Sequence, residues 1–393
     1  MKPTPEKIRC ILKRKSLLPV LFLILLNASP PSSFGQFKHT RIRSNLVFTG
    51  KTSYGFLIPH HIEMEIFNAH FTAYEIAVSK ATFGKTRWEY MYNYPVIGVG
   101  YWYSGLGGSP YLGAAHAVMP FIEFPVSENR GSRLFIRTAL GIGYLTEHFD
   151  RTGNYKNVAI GSAWNAAVGL HLQYTRKLSD RFLVSAGIGL NHFSNGSMKT
   201  PNYGLNIPNI FVSASYRLTK ENPYFNKKLL PALKPFYFDG KKKVELNVAG
   251  GIGYKNMEAE TGGKFIALDL FTHLLKPVSY KSKIGIGLDA SFDGTDEMLV
   301  RQKYDEKVRK KIHLVKTGVE AAYELNMSRI SFMGNLGYYL SGQYKGDGRI
   351  YEKIGILFRF SRSMFVHLTL KAHAGRADFL IAGLGYKFDL IYY

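Results

Sequence analysis

The sequence has a single cysteine in 393 residues, Cys10, and it lies in a basic and apolar N-terminal segment. A chain processed to remove that segment would have no thiol. Disulfides and thiolate metal sites are therefore excluded. An exported chain without cysteine is more typical of a bacterial envelope protein than of a small disulfide-stabilised secreted domain.

Long hydrophobic runs are also missing. The longest one, Leu17–Leu26, is too short for a spanning helix of about 20 residues. It follows a basic region and precedes small residues, which predicts a secretory signal peptide over residues 1–35, with cleavage after Gly35 or near Ala28. A retained N-terminal anchor is the alternative. No later stretch reaches the length of a membrane helix, and the mean hydropathy is −0.09.

Acidic residues are scarce, with 28 against 51 lysines and arginines, which gives a net charge of +23. Loss of residues 1–35 removes six basic residues and one acidic residue and leaves +18. Such a charge favours polyanionic partners. An exported, aromatic-rich chain without a compact basic motif argues against nucleic acid, so a phosphorylated glycolipid is the better candidate. Alternatively, many of these charges only solvate loops.

Apolar residues alternate with small or polar ones throughout the chain, as in Leu134–Tyr144 and Leu380–Phe388. Weak repeats of about ten residues with aromatics near their ends are typical of outer-membrane barrels. A Gly-apolar-Gly unit recurs six times, first at Gly98–Gly100 and last at Gly383–Gly385. No helix follows any of these units, so they indicate a barrel wall facing the lumen and not a phosphate-binding loop. The pattern predicts an all-β, antiparallel transmembrane barrel.

Candidate strands number about fifteen between Phe71 and Phe388, with one more between Leu46 and Phe67. Bacterial barrels usually have even strand numbers, so we predict sixteen strands, with fourteen as the alternative. The proline-containing segment 219–243 separates residues 36–218 from residues 244–393 and is expected to be a periplasmic linker. One large barrel and two tandem eight-stranded barrels both fit. One barrel is preferred because the alternating strand pattern continues on both sides of segment 219–243, which would cross the periplasmic side only once.

Short connections such as 177–180 are expected in the periplasm, and long ones such as 149–160 outside the cell. The strand that begins near Phe182 carries His192 about a dozen residues beyond such a turn. This distance crosses most of the apolar band and places His192 at the depth of the outer leaflet.

His192 and Ser194 continue the apolar face of that strand, whose other face is small or polar. Residues two apart on a strand share a face, so an imidazole could activate the hydroxyl as a nucleophile. The following loop, 195–206, offers amide donors for an oxyanion. Both groups would face lipid, which favours an enzyme acting on the lipid itself. A merely interfacial polar cluster is the alternative.

The motifs His192-Phe193-Ser194-Asn195 and Asn202-Tyr203-Gly204 resemble those of the outer-membrane lipid A 3-O-deacylases, the PagL family of acyloxyacyl hydrolase-like proteins. The resemblance covers about residues 37 to 218. It implies hydrolysis of an ester-linked acyl chain of lipid A in lipopolysaccharide at the outer membrane, without cofactor or metal. It also implies roles for individual residues: Ser194 as nucleophile, His192 as general base, and Asn195, Gly196 and Asn202 as oxyanion or positioning groups.

The chain departs from this family in two ways. Asn206 stands where the family has the acid of its triad, and an amide can orient an imidazole but cannot stabilise its charge. Glu147 or Asp150 on another loop could supply an acid instead. Residues 244–388 add strands that the small family barrel lacks, and there His373 echoes His192 without a serine two residues later, so a structural role is expected.

His60 and His61 do not predict a metal site, because neighbouring residues on a strand point apart and no carboxylate cluster accompanies them. The sequence thus predicts an outer-membrane serine esterase that deacylates lipid A. The alternative is a non-catalytic barrel, porin-like or structural, that retains the motif. The oligomeric state is left open.

Overall fold

A computed structural model of the chain describes residues 45–84, 86–129, 131–219, 243–256, 263–304, 310–345 and 348–391. The predicted signal peptide and nearly all of the predicted linker lie outside these residues. The chain divides into two units, each built around one closed barrel. None of the helices in the described residues has the length and hydropathy of a membrane-spanning segment.

The first barrel has eight antiparallel strands, each paired with the next along the chain. They are β1 (Leu46–Phe56), β2 (His70–Ala81), β3 (Val96–Ser104), β4 (Ala115–Asn129), β5 (Ser132–Leu145), β6 (Trp164–Lys177), β7 (Phe182–Ser194) and β8 (Leu205–Arg217). Pairing of β1 with β8, from Val47 opposite Arg217 to Gly55 opposite Asn209, closes the barrel. A short helix, α1 (Arg87–Met91), lies between β2 and β3.

The second barrel repeats this architecture and is closed by pairing of β9 with β16. Its strands are β9 (Lys243–Asn256), β10 (Lys264–Pro277), β11 (Ser282–Asp293), β12 (Lys316–Met327), β13 (Ile330–Tyr339), β14 (Ile350–Arg359), β15 (Met364–His373) and β16 (Arg376–Ile391). The connection between β11 and β12 contains the helix α2 (Asp296–Tyr304).

The described residues contain the sixteen predicted strands, but the preferred single barrel is wrong and the two tandem eight-stranded barrels are correct. The β8 edge that a larger barrel would pair with β9 is instead occupied by β1. Alternation could not distinguish these arrangements, because period two fixes which face a side chain takes and not which strand edges pair.

Alternation of burial along the strands confirms that each barrel has an apolar outside and a filled inside. In β7, Leu183, Ser185 and Phe193 are buried, whereas Phe182 and Ile188 are more than half exposed. Exposed aromatic side chains form two belts on the first barrel, as expected at the two membrane interfaces. The belt near the long loops comprises Tyr54, Tyr74, Tyr101, Tyr103, Tyr144 and Trp164, and the belt at the other end Phe48, Tyr174 and Phe182.

Charged side chains fill the lumen of the first barrel. Arg137 Nη2 lies 2.7 Å from Glu75 Oε1, and Lys51 Nζ lies 3.5 Å from the other carboxylate oxygen. The guanidinium of Arg137 also stacks 3.6 Å above the centre of the Phe121 ring. A cavity of about 50 Å³ lies beside these groups. Eight strands enclose little more space than side chains fill, which argues against a pore through this barrel.

The ion pairs of Glu75 in the lumen predict that its replacement destabilises the first barrel. The variant Glu75→Gln removes the carboxylate that lies within 3.5 Å of both buried cations, and loss of one partner of a buried pair costs about 3–5 kcal/mol. We expect urea titration of the protein refolded in lipid vesicles to show a loss of this size in the free energy of unfolding. The exposed Glu63 provides the control, since Glu63→Gln should change it little. A loss at Glu75 no larger than at Glu63 would contradict the assigned pairing.

Candidate active site

Phe193 fixes the end of β7 and thereby the direction of its neighbours. Its side chain is only 1% exposed and packs in the lumen, with its ring centre 5.4 Å from that of Trp102. Gly143 provides the space, because a Cβ there would come within 2.7 Å of the Phe193 ring. Since successive side chains on a strand point to opposite faces, His192 and Ser194 face outward.

His192 is held by Asn206, directly across the β7–β8 hairpin. The Nδ1 atom of His192 lies 2.7 Å from Oδ1 of Asn206. A carbonyl oxygen only accepts, so the imidazole carries its proton on Nδ1 and presents an unprotonated Nε2. This is the tautomer that a general base requires.

Ser194 is positioned by Asn202. The amide nitrogen Nδ2 of Asn202 donates to Ser194 Oγ over 3.0 Å, and the backbone N–H of Gly196 reaches the same oxygen over 3.3 Å. Among the described residues, no hydrogen bond joins the hydroxyl of Ser194 to the His192 ring. Catalytic hydrogen bonds are often long or poorly aligned without substrate, so the shared outward face is the relevant geometry.

Asn195 anchors the β7–β8 loop. Its buried side chain donates from Nδ2 to Ser162 Oγ and to the Lys199 carbonyl, both over 2.8 Å. Its backbone N–H donates to Oδ1 of Asn202 over 3.0 Å. The side chain therefore ties this loop to the β5–β6 connection.

Two glycines allow the loop to pass close to the predicted base and nucleophile. Gly196 and Gly204 have φ values of 64° and 79°, in the region that favours glycine. A Cβ at Gly204 would lie 2.9 Å from Cε1 and 3.5 Å from Nε2 of His192. Only a residue without a side chain fits beside the imidazole in this conformation.

His60, in the connection between β1 and β2, is a neighbour of this site that sequence reasoning missed. Its Nδ1 lies 3.3 Å from Nδ2 of Asn206, and its Nε2 lies 2.8 Å from the carbonyl oxygen of Tyr203. His60 and Asn206 are 146 positions apart, and the sequence carries no signal of this contact, because only the pairing of β1 with β8 brings them together.

Other candidate groups lie apart from this cluster. Asp150 accepts hydrogen bonds from the backbone N–H groups of Gly153 and Thr152 in its own loop, and these lower its pKa to about 2. Among the described residues, no carboxylate pairs with His192. Glu147 is exposed on the same loop as Asp150. Within the described part of the chain, no group of three or more histidine, cysteine or acidic side chains could hold a metal.

His373 does not repeat the geometry of His192. It is buried inside the second barrel, with Nε2 3.3 Å from the Tyr339 hydroxyl and Nδ1 3.7 Å from Asp378. An inward imidazole between a phenol and a carboxylate is in keeping with the structural role expected from the sequence.

Several solved structures of outer-membrane proteins are similar to this chain at low sequence identity. The outer membrane enzyme PagL is 14% identical to this chain, and the match covers 42% of this chain and 97% of the PagL chain, with a TM-score of 0.30. Neisserial surface protein A is 8% identical over 44% of this chain and 97% of its own, with a TM-score of 0.32. A mutant of the Rh. blastica porin is 10% identical, and the match covers 87% of this chain and 99% of the porin chain, with a TM-score of 0.17. No curated protein matches the sequence.

Two family models match the two barrels separately. Residues 72–215 match the family described as lipid A 3-O-deacylase (PagL), and residues 243–390 match the C-terminal domain of acyloxyacyl hydrolase. The first match contains His192, Ser194, Asn202 and Asn206. The chain therefore belongs to the lipid A 3-O-deacylase (PagL) family, and it is a β-barrel protein of the bacterial outer membrane.

Proposed function

We propose that this protein is a serine esterase that removes an ester-linked acyl chain, the 3-O-acyl chain, from lipid A in the outer leaflet. The observation that carries the proposal is the outward direction of His192 and Ser194, in a barrel that matches the lipid A 3-O-deacylase model. The serine, its base and the ester would then meet in the plane of the membrane, without extraction of the lipid.

The proposed reaction begins with attack of Ser194 Oγ on the ester carbonyl while Nε2 of His192 takes the hydroxyl proton. The tetrahedral intermediate collapses when His192 returns that proton to the sugar oxygen, which leaves as an alcohol. A water molecule, deprotonated by His192, then attacks the acyl-enzyme, and His192 returns that proton to Ser194 Oγ as the ester bond breaks and the fatty acid is released. Asn206 holds the Nδ1 proton throughout and keeps the ring in one orientation.

The donors for the oxyanion come from the start of the β7–β8 loop. The Gly196 N–H already points at Ser194 Oγ, 3.3 Å away, and is therefore close to where charge develops on the carbonyl oxygen. The Asn195 N–H is occupied by Asn202 in the resting arrangement. Asn202 Nδ2, 3.0 Å from the same oxygen, is the second donor beside the reacting atoms, so Gly196 and Asn202 are the proposed oxyanion donors, and Asn202 also positions Ser194.

The surroundings of the pair suit an acylated, phosphorylated glycolipid. On the outer face, Val168 lies opposite His192 across the β6–β7 pairing, and Ile188 continues the apolar surface toward the membrane centre. The loops of the same end expose the cations Arg151, Lys156 and Lys199. Acyl chains would lie along the strands, and phosphates would lie near the loops.

Asn206 in place of a carboxylate affects the rate but not the reaction class. Its amide fixes the tautomer of His192, as asparagine does in papain-like proteases, but adds no negative charge to stabilise the imidazolium. We therefore expect slower turnover than an acid at position 206 would give. The filled lumen makes the porin-like alternative less suitable than the enzyme.

The variant Ser194→Ala tests the nucleophile. Mass spectrometry of lipid A from cells that express the wild-type protein should show loss of one 3-hydroxy acyl chain. The variant should lower the rate by about 10³-fold or more, because loss of a nucleophile leaves only binding and oxyanion stabilisation. Ser185→Ala is the matched control on the inward face of β7, where Ser185 Oγ contacts Thr175. Identical lipid A acylation with wild type and Ser194→Ala would refute the proposal.

The variant Gly204→Ala tests the close approach of the loop to His192. The added methyl group meets the imidazole at 2.9 Å, so the hydrolysis rate should fall by about tenfold or more. Gly131→Ala is matched to it, since Gly131 has a φ of 80° but open space around its Cβ position. Gly131→Ala should lower stability by about 1–2 kcal/mol, the cost of a side chain in this conformation, and Gly204→Ala by more, because its Cβ also meets the imidazole. Equal activity of the two variants would show that Gly204 does not constrain His192.

A further inference from the structure

The tautomer of His60 can be read from its contacts. Its Nε2 lies 2.8 Å from the Tyr203 carbonyl oxygen, which can only accept, so Nε2 carries a proton. Its Nδ1 lies 3.3 Å from Nδ2 of Asn206, which can only donate, and 3.2 Å from the Ile58 carbonyl oxygen. A neutral imidazole has one proton, and the shorter Tyr203 contact takes it. The Nδ1 lone pair is then directed at Asn206.

Asn206 lies between two imidazoles and has one donating end and one accepting end. With Nδ2 turned to His60, its Oδ1 faces His192 at 2.7 Å and requires the proton on His192 Nδ1. The reversed amide would donate to His192 Nδ1 and force the proton onto Nε2. In that tautomer His192 could not accept the proton of Ser194.

We propose that His60 is a positioning residue, which orients the amide of Asn206 and through it keeps His192 in the tautomer that acts as a base. The catalytic consequence rests on the proposed function. A carboxylate at position 206 would need no such partner, because both of its oxygens accept. The use of an asparagine at this position therefore depends on an acceptor behind it, and the β1–β2 connection supplies that acceptor.

Protonation of His60 should reverse this arrangement. An imidazolium donates from both nitrogens, so Nδ1–H would bond the Ile58 carbonyl and exclude the Asn206 donor. The titratable side chains that face His60 are His192 across Asn206, His61 in the same connection and Tyr203, whose ring stacks on His61 at 4.1 Å.

Two substitutions at position 60 separate its two contacts. In His60→Asn the side-chain oxygen replaces Nδ1 and can still accept from Asn206. In His60→Gln the terminal amide replaces Nε2, so the Tyr203 contact remains and the acceptor for Asn206 is lost. We expect kcat of His60→Gln to fall about tenfold with KM unchanged, since one hydrogen bond sets the amide preference. His60→Asn should retain most of kcat, and so should His70→Gln, a control at the other end of this connection.

The effect of His60→Gln should also be measured in the isosteric variant Asn206→Asp, where the proposal and a purely structural role give different results. His60→Gln should change kcat little there, because a carboxylate needs no orientation. If His60 only supported the loop, His60→Gln would lower kcat equally in both backgrounds, and that result would overturn the proposal.

The tautomer of His192 provides a readout that needs no turnover. In Ser194→Ala protein, ¹⁵N NMR shifts of the His192 ring should report a proton on Nδ1, and adding His60→Gln should produce a mixture of tautomers. An unchanged Nδ1–H tautomer in His60→Gln would refute the positioning role. If Ser194→Ala did not reduce deacylation, the proposed function would fail, whereas this measurement would still decide the role of His60.

Discussion

The whole account depends on the requirement that a strand in a bilayer pairs every backbone polar group while its side chains alternate between lumen and lipid. Each set of eight strands meets this requirement by closing on itself. Within the first barrel, burial of Phe193 in the lumen then determines which way the side chains of its two neighbours point. His192 and Ser194 must face outward, in the one environment where an ester of a membrane lipid is directly accessible.

Local features of the site could be predicted from the sequence, because they depend on one hairpin. The faces of β7 follow from alternation, and a hairpin that joins residues fourteen apart brings His192 to Asn206. The contact with His60 could not be predicted, since it requires β1 to pair with β8 across 146 residues. The same long-range pairing decides between one barrel and two, and side-chain periodicity carries no information about it.

The two barrels share an architecture but differ in where their polar groups lie. In the second barrel, Lys353 pairs with Asp269 and Glu320 in the lumen, and His373 is also turned inward. In the first barrel, similar pairing of Glu75 with Arg137 coexists with the outward cluster at the end of β7. His373 points into its barrel and is a structural group, whereas His192 points out of its barrel and is a candidate catalytic group.

Direct measurement of which side of the wall position 194 occupies tests the central claim. Single cysteines introduced as Ser194→Cys, Ala186→Cys and Ser185→Cys in a Cys10→Ser background can carry a spin label in lipid bilayers. We expect labels at 194 and 186 to collide frequently with oxygen, which concentrates in lipid, and the label at 185 to be shielded from it. A label at 194 that is shielded like the one at 185, or that prefers a water-soluble nickel chelate, would contradict the account.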